Sequence, residues 1–139
     1  MLELVIFVGL PGSGKSTYFR EHYAATHVHV SKDLMPNARR RDDRQLIEID
    51  GALRSGKSVV VDNTNPSREV RAPLIALGHM HGAKVVGTFF DVDARTCLAR
   101  NRQREGRARV PDVAIFTTKK KLQAPELSEG FDELHVITT

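Results

Sequence analysis

The sequence predicts an α/β fold of three layers, with a central, mostly parallel five-stranded sheet between helices. Five short runs rich in Val, Ile, Leu and Phe recur along the chain, and helical stretches separate them. The runs alternate little between polar and apolar residues, as strands buried on both faces require. A glycine-rich turn at residues 9–14 joins the first run directly to a helix.

The elements follow in order. Residues 3–8 read as a buried first strand, and a helix runs from about Lys15 to Ala25. His27–Ser31 is a short second strand; Pro36 and Asn37 then break the chain. The next helix spans about Arg40 to Arg54, and Ser55-Gly56 stops it. Ser58–Asp62 is the third and most β-branched strand. Asn65-Pro66-Ser67 starts a helix that ends near His81-Gly82. Lys84–Asp91 is the fourth strand, and a helix from Asp93 carries through Arg104 into a loop of glycine and arginine. Pro111 opens a last helix to about Leu122, and Glu133–Thr138 is the fifth strand.

The 139 residues suit one domain spanning 1–139, with one core. The one cysteine, Cys97, excludes an internal disulfide and fits a reducing compartment. The first residues lack the basic start of a secretory leader, and no stretch approaches the roughly 20 apolar residues of a membrane span. The expectation is a cytoplasmic protein without a membrane partner. The net charge of +4 favours anionic ligands. Arginines cluster at 39–44 and at 100–109. They read either as solvated helix faces or as phosphate contacts.

Gly9-x-x-x-x-Gly14-Lys15-Ser16 matches the Walker A pattern in full, with a strand before it and a helix after. Glycines let successive N–H groups curl toward phosphate oxygens, and the following helix adds its positive end. Lys15 is expected to bridge the β- and γ-phosphates and Ser16 to hold Mg²⁺, with Gly12, Ser13, Gly14 and Thr17 completing the cradle. The cofactors expected are therefore Mg²⁺ and ATP or another nucleoside triphosphate.

Other features select among proteins with this loop. Asp62-Asn63 ends the third strand, where an acid stands beside the metal; a strand-to-helix turn is the alternative. The residue after Asp62 is not the glutamate that activates water, and no guanine-reading Asn-Lys-x-Asp is present, so both hydrolase readings weaken. Asp33 follows the second strand, at the ligand end of such a sheet. It is read either as a general base for an attacking hydroxyl or as a helix cap. The arginines from Arg100 to Arg109 fit a lid of about residues 101–110 that neutralises a phosphoryl group in transfer. Base and lid together describe a three-layer P-loop kinase fold with an arginine-rich lid.

Several segments occur in one order: Gly9–Thr17, Ser31-Lys32-Asp33, Asp62-Asn63-Thr64-Asn65-Pro66, Arg100-Asn101-Arg102-Gln103-Arg104, and residues 123–131, Gln-Ala-Pro-Glu-Leu-Ser-Glu-Gly-Phe. Together they resemble the 5′-kinase module of polynucleotide kinases over nearly the whole chain. The Asp-Asn-Thr-Asn-Pro stretch and the ending at Phe131 are the most specific parts. The resemblance implies transfer of the ATP γ-phosphate to the 5′-OH of DNA or RNA. It implies Asp33 as general base and Arg104 as lid arginine on the transferred phosphate, with Arg100 one turn before it. It implies Asp62 or Asn63 at the acceptor site. The phage and some bacterial forms carry an acceptor-binding arginine three residues after the base; here that residue is Pro36. Arg39 or Arg40 then stands in from the next turn.

Two alternatives stay open: a P-loop kinase for a small or carrier-bound alcohol, and a nucleotide-binding module that performs no transfer. A homo-oligomer is compatible with the sequence. The six histidines lack metal-ligand spacing, and His27 and His29, on one strand face, read as structural. Cys97 reads as core, Lys119–Lys121 as a solvated face, and Tyr18, Phe19 and Phe116 as candidates for stacking on bases.

Overall fold

The computed structural model describes residues 1–35 and 39–138, apart from the side chain of Arg107. Pro36 therefore lies outside the described residues. The sheet comprises β1 (Glu3–Gly9), β2 (Val28–Val30), β3 (Val59–Val61), β4 (Lys84–Phe90) and β5 (Glu133–Ile137). Its order is β2-β3-β1-β4-β5, and every pairing is parallel. The five strands stand where the hydrophobic runs predict them, within a residue or two at each end.

β1 occupies the centre, and Leu4 through Val8 have no accessible surface. Successive strand residues face opposite ways, so both faces of β1 need cover. Leu4, Ile6 and Val8 pack in one cluster with Ile49, Leu53, Leu74 and Ile75. Those partners come from α2 (Arg41–Arg54) and α3 (Arg68–Met80). Val5 and Phe7 face the other way, onto Phe19 of α1 (Lys15–His22) and Phe90. The absence of alternation in the sequence thus reflects a sheet buried on both sides.

A third cluster joins Leu10, just after β1, to Cys97 of α4 (Ala94–Arg102) and Ile115 of α5 (Asp112–Lys121). It clamps the helix bearing the predicted lid against the start of the glycine turn.

Two helices end earlier than the sequence suggests. α1 stops at His22 rather than Ala25, because the next residue, Tyr23, turns inward onto Phe7, and His27 N–H closes the turn on the Tyr23 carbonyl at 2.9 Å. α4 stops at Arg102 rather than Arg104, and buried Asn101 explains it. Its amide donates to Val110 O at 2.7 Å and accepts from Val110 N–H at 3.0 Å, which draws the following loop back onto the helix end. Among the described residues no helix is long and apolar enough to cross a membrane.

Candidate functional site

In a parallel sheet, ligands sit beyond the carboxyl ends of the strands, where the connections diverge. There the chain forms a crevice of about 660 Å³, with Lys15, Ser16, Asp33, Asp62, Asn63 and Arg104 in its wall. Thr17 and Arg104 also border a neighbouring depression of about 410 Å³ that lies against Ser13, Gly14 and Tyr18. Thr17 itself receives a hydrogen bond from Arg20 Nη2 at 3.2 Å.

The glycine turn is held open by sterics. Gly12 has φ of 83°, and a Cβ there would lie 2.7 Å from the Cys97 carbonyl oxygen. Only glycine satisfies both the left-handed backbone and the close approach of α4. Gly14 has φ of 98°, and Arg100 reaches across beside it. Lys15 is buried within the turn, donating to Leu10 O at 2.7 Å, Gly9 O at 3.1 Å and the buried Ser13 hydroxyl at 3.3 Å. Burial lowers its pKa to about 8, against the attraction of Asp62. Phosphate oxygens arriving in the turn add negative charge that favours the protonated amine.

Ser16 donates to Asp62 Oδ2 at 2.8 Å. A hydroxyl and a carboxylate are hard oxygen donors, and Mg²⁺ binds through one or two such groups together with phosphates and water. Ser16 and Asp62 therefore fit that ion. Among the described residues no group of three or more His, Cys, Asp and Glu side chains is placed to hold a metal.

Asp33 stands in a short 3₁₀ turn, Lys32–Leu34, immediately after β2. The cap of that turn is Ser31, whose hydroxyl accepts from Asp33 N–H at 3.2 Å. The Asp33 carboxylate makes no hydrogen bond or ion pair among the described residues and is exposed on the crevice wall. Asn63 holds this segment. It accepts from Lys32 N–H at 2.9 Å and donates to the buried side chain of Gln45. Its amide is committed on both sides to positioning Asp33's turn.

The loop from Asp62 to Asn65 is stapled to β1. Gly9 N–H donates to Thr64 O at 3.1 Å, and Asn65 Nδ2 donates to Phe7 O at 2.7 Å. Asn65 has φ of 42°, a conformation that asparagine tolerates better than most residues. Behind it, Arg71 of α3 has no accessible surface, donates to Asn65 O at 3.0 Å and forms a two-pronged pair with Glu129 at 2.9 and 3.0 Å. Gln123 N–H donates to Pro66 O at 2.7 Å, and Gln123 Oε1 accepts from Arg68 N–H at 3.0 Å. The ending at residues 123–131 thus buttresses the loop at 62–66, and the two most specific sequence motifs are one structural unit.

Arg104 follows the end of α4, half-buried, with Nη1 3.4 Å from Ala108 O. Arg39 is exposed at a bend before α2 and is not brought to the crevice wall; Arg41 is, with Nη1 3.4 Å from Lys32 O. The difference follows from the helix start. Arg41 is the first residue of α2, and α2 is tied to Asp33's segment through Gln45 and Asn63. Sequence reasoning missed Gln45 and Arg71, and within the cluster at 39–44 it singled out Arg39 and Arg40 rather than Arg41. Arg71 left a signal, since Leu74 and Ile75 lie three and four residues on and place it on the core face of the helix.

A family model for the AAA domain matches residues 4–125. The chain is 28% identical over 143 residues to a putative bifunctional polynucleotide phosphatase/kinase of Acanthamoeba polyphaga mimivirus, covering 98% of this chain and 33% of the relative. It is 28% identical over 141 residues to the bifunctional polynucleotide phosphatase/kinase of Schizosaccharomyces pombe, covering 97% and 33%. It spans about a third of the length of both relatives. Among solved structures, Chaetomium thermophilum Kti12 in complex with ADP-AlF3 superposes with a TM-score of 0.80 at 17% identity, covering 97% of this chain and 88% of the other. That likeness shows the fold.

Proposed function

Because the chain belongs to the AAA-domain family, we propose that it is a P-loop kinase, transferring the γ-phosphate of ATP or another nucleoside triphosphate to the 5′-OH of DNA or RNA. The observation that carries this reading is the Asp33 carboxylate, without a partner among the described residues, in the wall of the same crevice as the glycine turn. A protein that only binds nucleotide has no need of such a base. The names of the two relatives support a polynucleotide acceptor.

In this mechanism Asp33 accepts the proton of the 5′-hydroxyl as its oxygen bonds to the γ-phosphorus. The bond from that phosphorus to the bridging oxygen breaks, and the nucleoside diphosphate leaves. Lys15 and Arg104 hold the phosphoryl oxygens, where charge is spread in the transition state. Mg²⁺ held by Ser16 and Asp62 supplies further positive charge when bound. The depression beside Gly14 and Tyr18 takes the remainder of the donor. Arg41, beside Asp33's turn, faces an acceptor phosphate, the task for which the sequence offers Arg39 or Arg40.

Incubation with γ-labelled ATP, Mg²⁺ and a panel of 5′-OH oligonucleotides beside small alcohols tests the proposal. Label is expected on oligonucleotide 5′ ends; label confined to small alcohols would overturn the acceptor, and nucleotide binding without any transfer would overturn the kinase. In the same assay Arg41→Ala is expected to raise the oligonucleotide KM about tenfold, the scale of one charge-assisted contact to phosphate. The KM for ATP stays within twofold, and an unchanged oligonucleotide KM would remove Arg41 from the acceptor site.

A further inference from the structure

His29, the middle residue of β2, reads from the sequence as structural, yet it contacts Asp62 in the crevice wall. Its Nε2 lies 2.8 Å from Asp62 Oδ2, the same oxygen that accepts the Ser16 hydroxyl at 2.8 Å. An ionised carboxylate only accepts, so Nε2 carries the proton of this contact. The ring stacks on Phe19 at a centroid distance of 4.0 Å and an interplanar angle of 16°. Phe19 is itself buried, one turn after Lys15. The stack aims the imidazole, and the imidazole fixes the carboxylate.

We infer that His29 is a positioning residue for the metal–nucleotide site, acting through Asp62. The inference rests on the reading of the glycine turn as a site for a magnesium nucleotide. A neutral hydroxyl that ligates a cation must turn its proton away from the ion and toward an acceptor. Asp62 Oδ2 is that acceptor for Ser16. A carboxylate held by a second donor keeps the acceptor in place, whereas a carboxylate with one donor rotates out of line. Groups that orient a metal ligand in this way are commonly worth a factor of 10–100 in metal affinity. His27 offers an internal control, because it pairs with Glu3 at 2.7 Å, at the opposite end of β1 from the glycine turn.

Calorimetric titration of the chain with ADP, across a series of Mg²⁺ concentrations and in EDTA, tests this. His29→Phe retains an aromatic stack without the donor, and His29→Met is a second replacement without a donor should the first fail to fold. Both are expected to raise the Mg²⁺ concentration for half-maximal ADP binding about tenfold, with binding in EDTA unchanged. His29→Gln restores a donor near the Nε2 position, and with His27→Gln it should stay within twofold of the parent chain. Three results would overturn the inference: unchanged Mg²⁺ dependence in the variants lacking a donor, an equal loss with Mg²⁺ and in EDTA, or a His29→Gln shift as large as that of His29→Phe. A parent chain whose ADP binding gains nothing from Mg²⁺ would defeat the underlying reading of the glycine turn instead.

Discussion

Asp33→Asn is expected to lower kcat for phosphate transfer by about 10²–10⁴, the range over which a positioned general base contributes. Affinity for ATP should stay within about twofold, because the side chain touches none of Lys15, Ser16 or Asp62. The substitution is nearly isosteric. The wild-type carboxylate holds no partner among the described residues, and the turn is capped by Ser31 through the Asp33 backbone rather than its side chain. Thermal stability should therefore move by no more than about 0.5 kcal/mol, as for an exposed position away from any network. Steady-state kinetics with an oligonucleotide acceptor, calorimetric ATP binding and a melting curve measure the three quantities. Turnover retained within tenfold removes Asp33 from the role of base. Loss of ATP binding in step with turnover would make it a binding residue instead.

The fold was legible because each strand announces itself by composition and each helix by its flanking turns. Val59–Val61 and Leu4–Val8 have no polar face to disguise them. The glycine turn was legible for a different reason: phosphate binding by backbone N–H groups demands glycine at set positions, so the motif is written in residue types. The site's supporting frame was much less legible. Asn63 looked like a substrate residue or a turn former, and only the structure shows both ends of its amide committed to Lys32 and Gln45. That partnership joins residues 18 and 31 positions apart. No spacing rule in a single sequence encodes such a distance. The same holds for His29 and Asp62, 33 residues apart, which meet because parallel pairing of β2 and β3 brings their ends together. The sequence offers Arg39 or Arg40 for the acceptor, whereas the structure brings Arg41 to the crevice wall, because α2 begins one residue later than its flanking turn suggests.

The second large effect concerns folding. Arg71→Met is expected to destabilise the chain by about 3–5 kcal/mol, the cost of removing one member of a buried ion pair. Arg71 has no accessible surface and the Glu129 side chain is only 6% exposed, so the substitution strands a carboxylate in the interior and leaves Asn65 O without its donor. Burial works to raise the Glu129 pKa, but Arg71 and the N–H of Glu126 together hold it below the ordinary value of 4.5. A depressed carboxylate stabilises the fold above its unfolded pKa and loses that contribution as pH falls through the folded one. The gap between parent and variant is therefore expected to be widest at neutral pH and to start narrowing above pH 4.5, because burial without Arg71 raises the Glu129 pKa and the variant takes up its proton first. Adding Glu129→Met to Arg71→Met removes the stranded charge and should recover more than half of the loss, because an apolar pair of similar volume can replace a buried ion pair. Urea denaturation of the three chains at pH 7 and pH 4 reads all of this. A loss under about 1 kcal/mol for Arg71→Met would mean that water reaches Glu129 and that the pair is not the strut it resembles. A double variant no more stable than the single one would locate the cost in the Asn65 carbonyl. The ending at residues 123–131 would then act on the Asp62–Asn65 loop through that one hydrogen bond rather than through the ion pair.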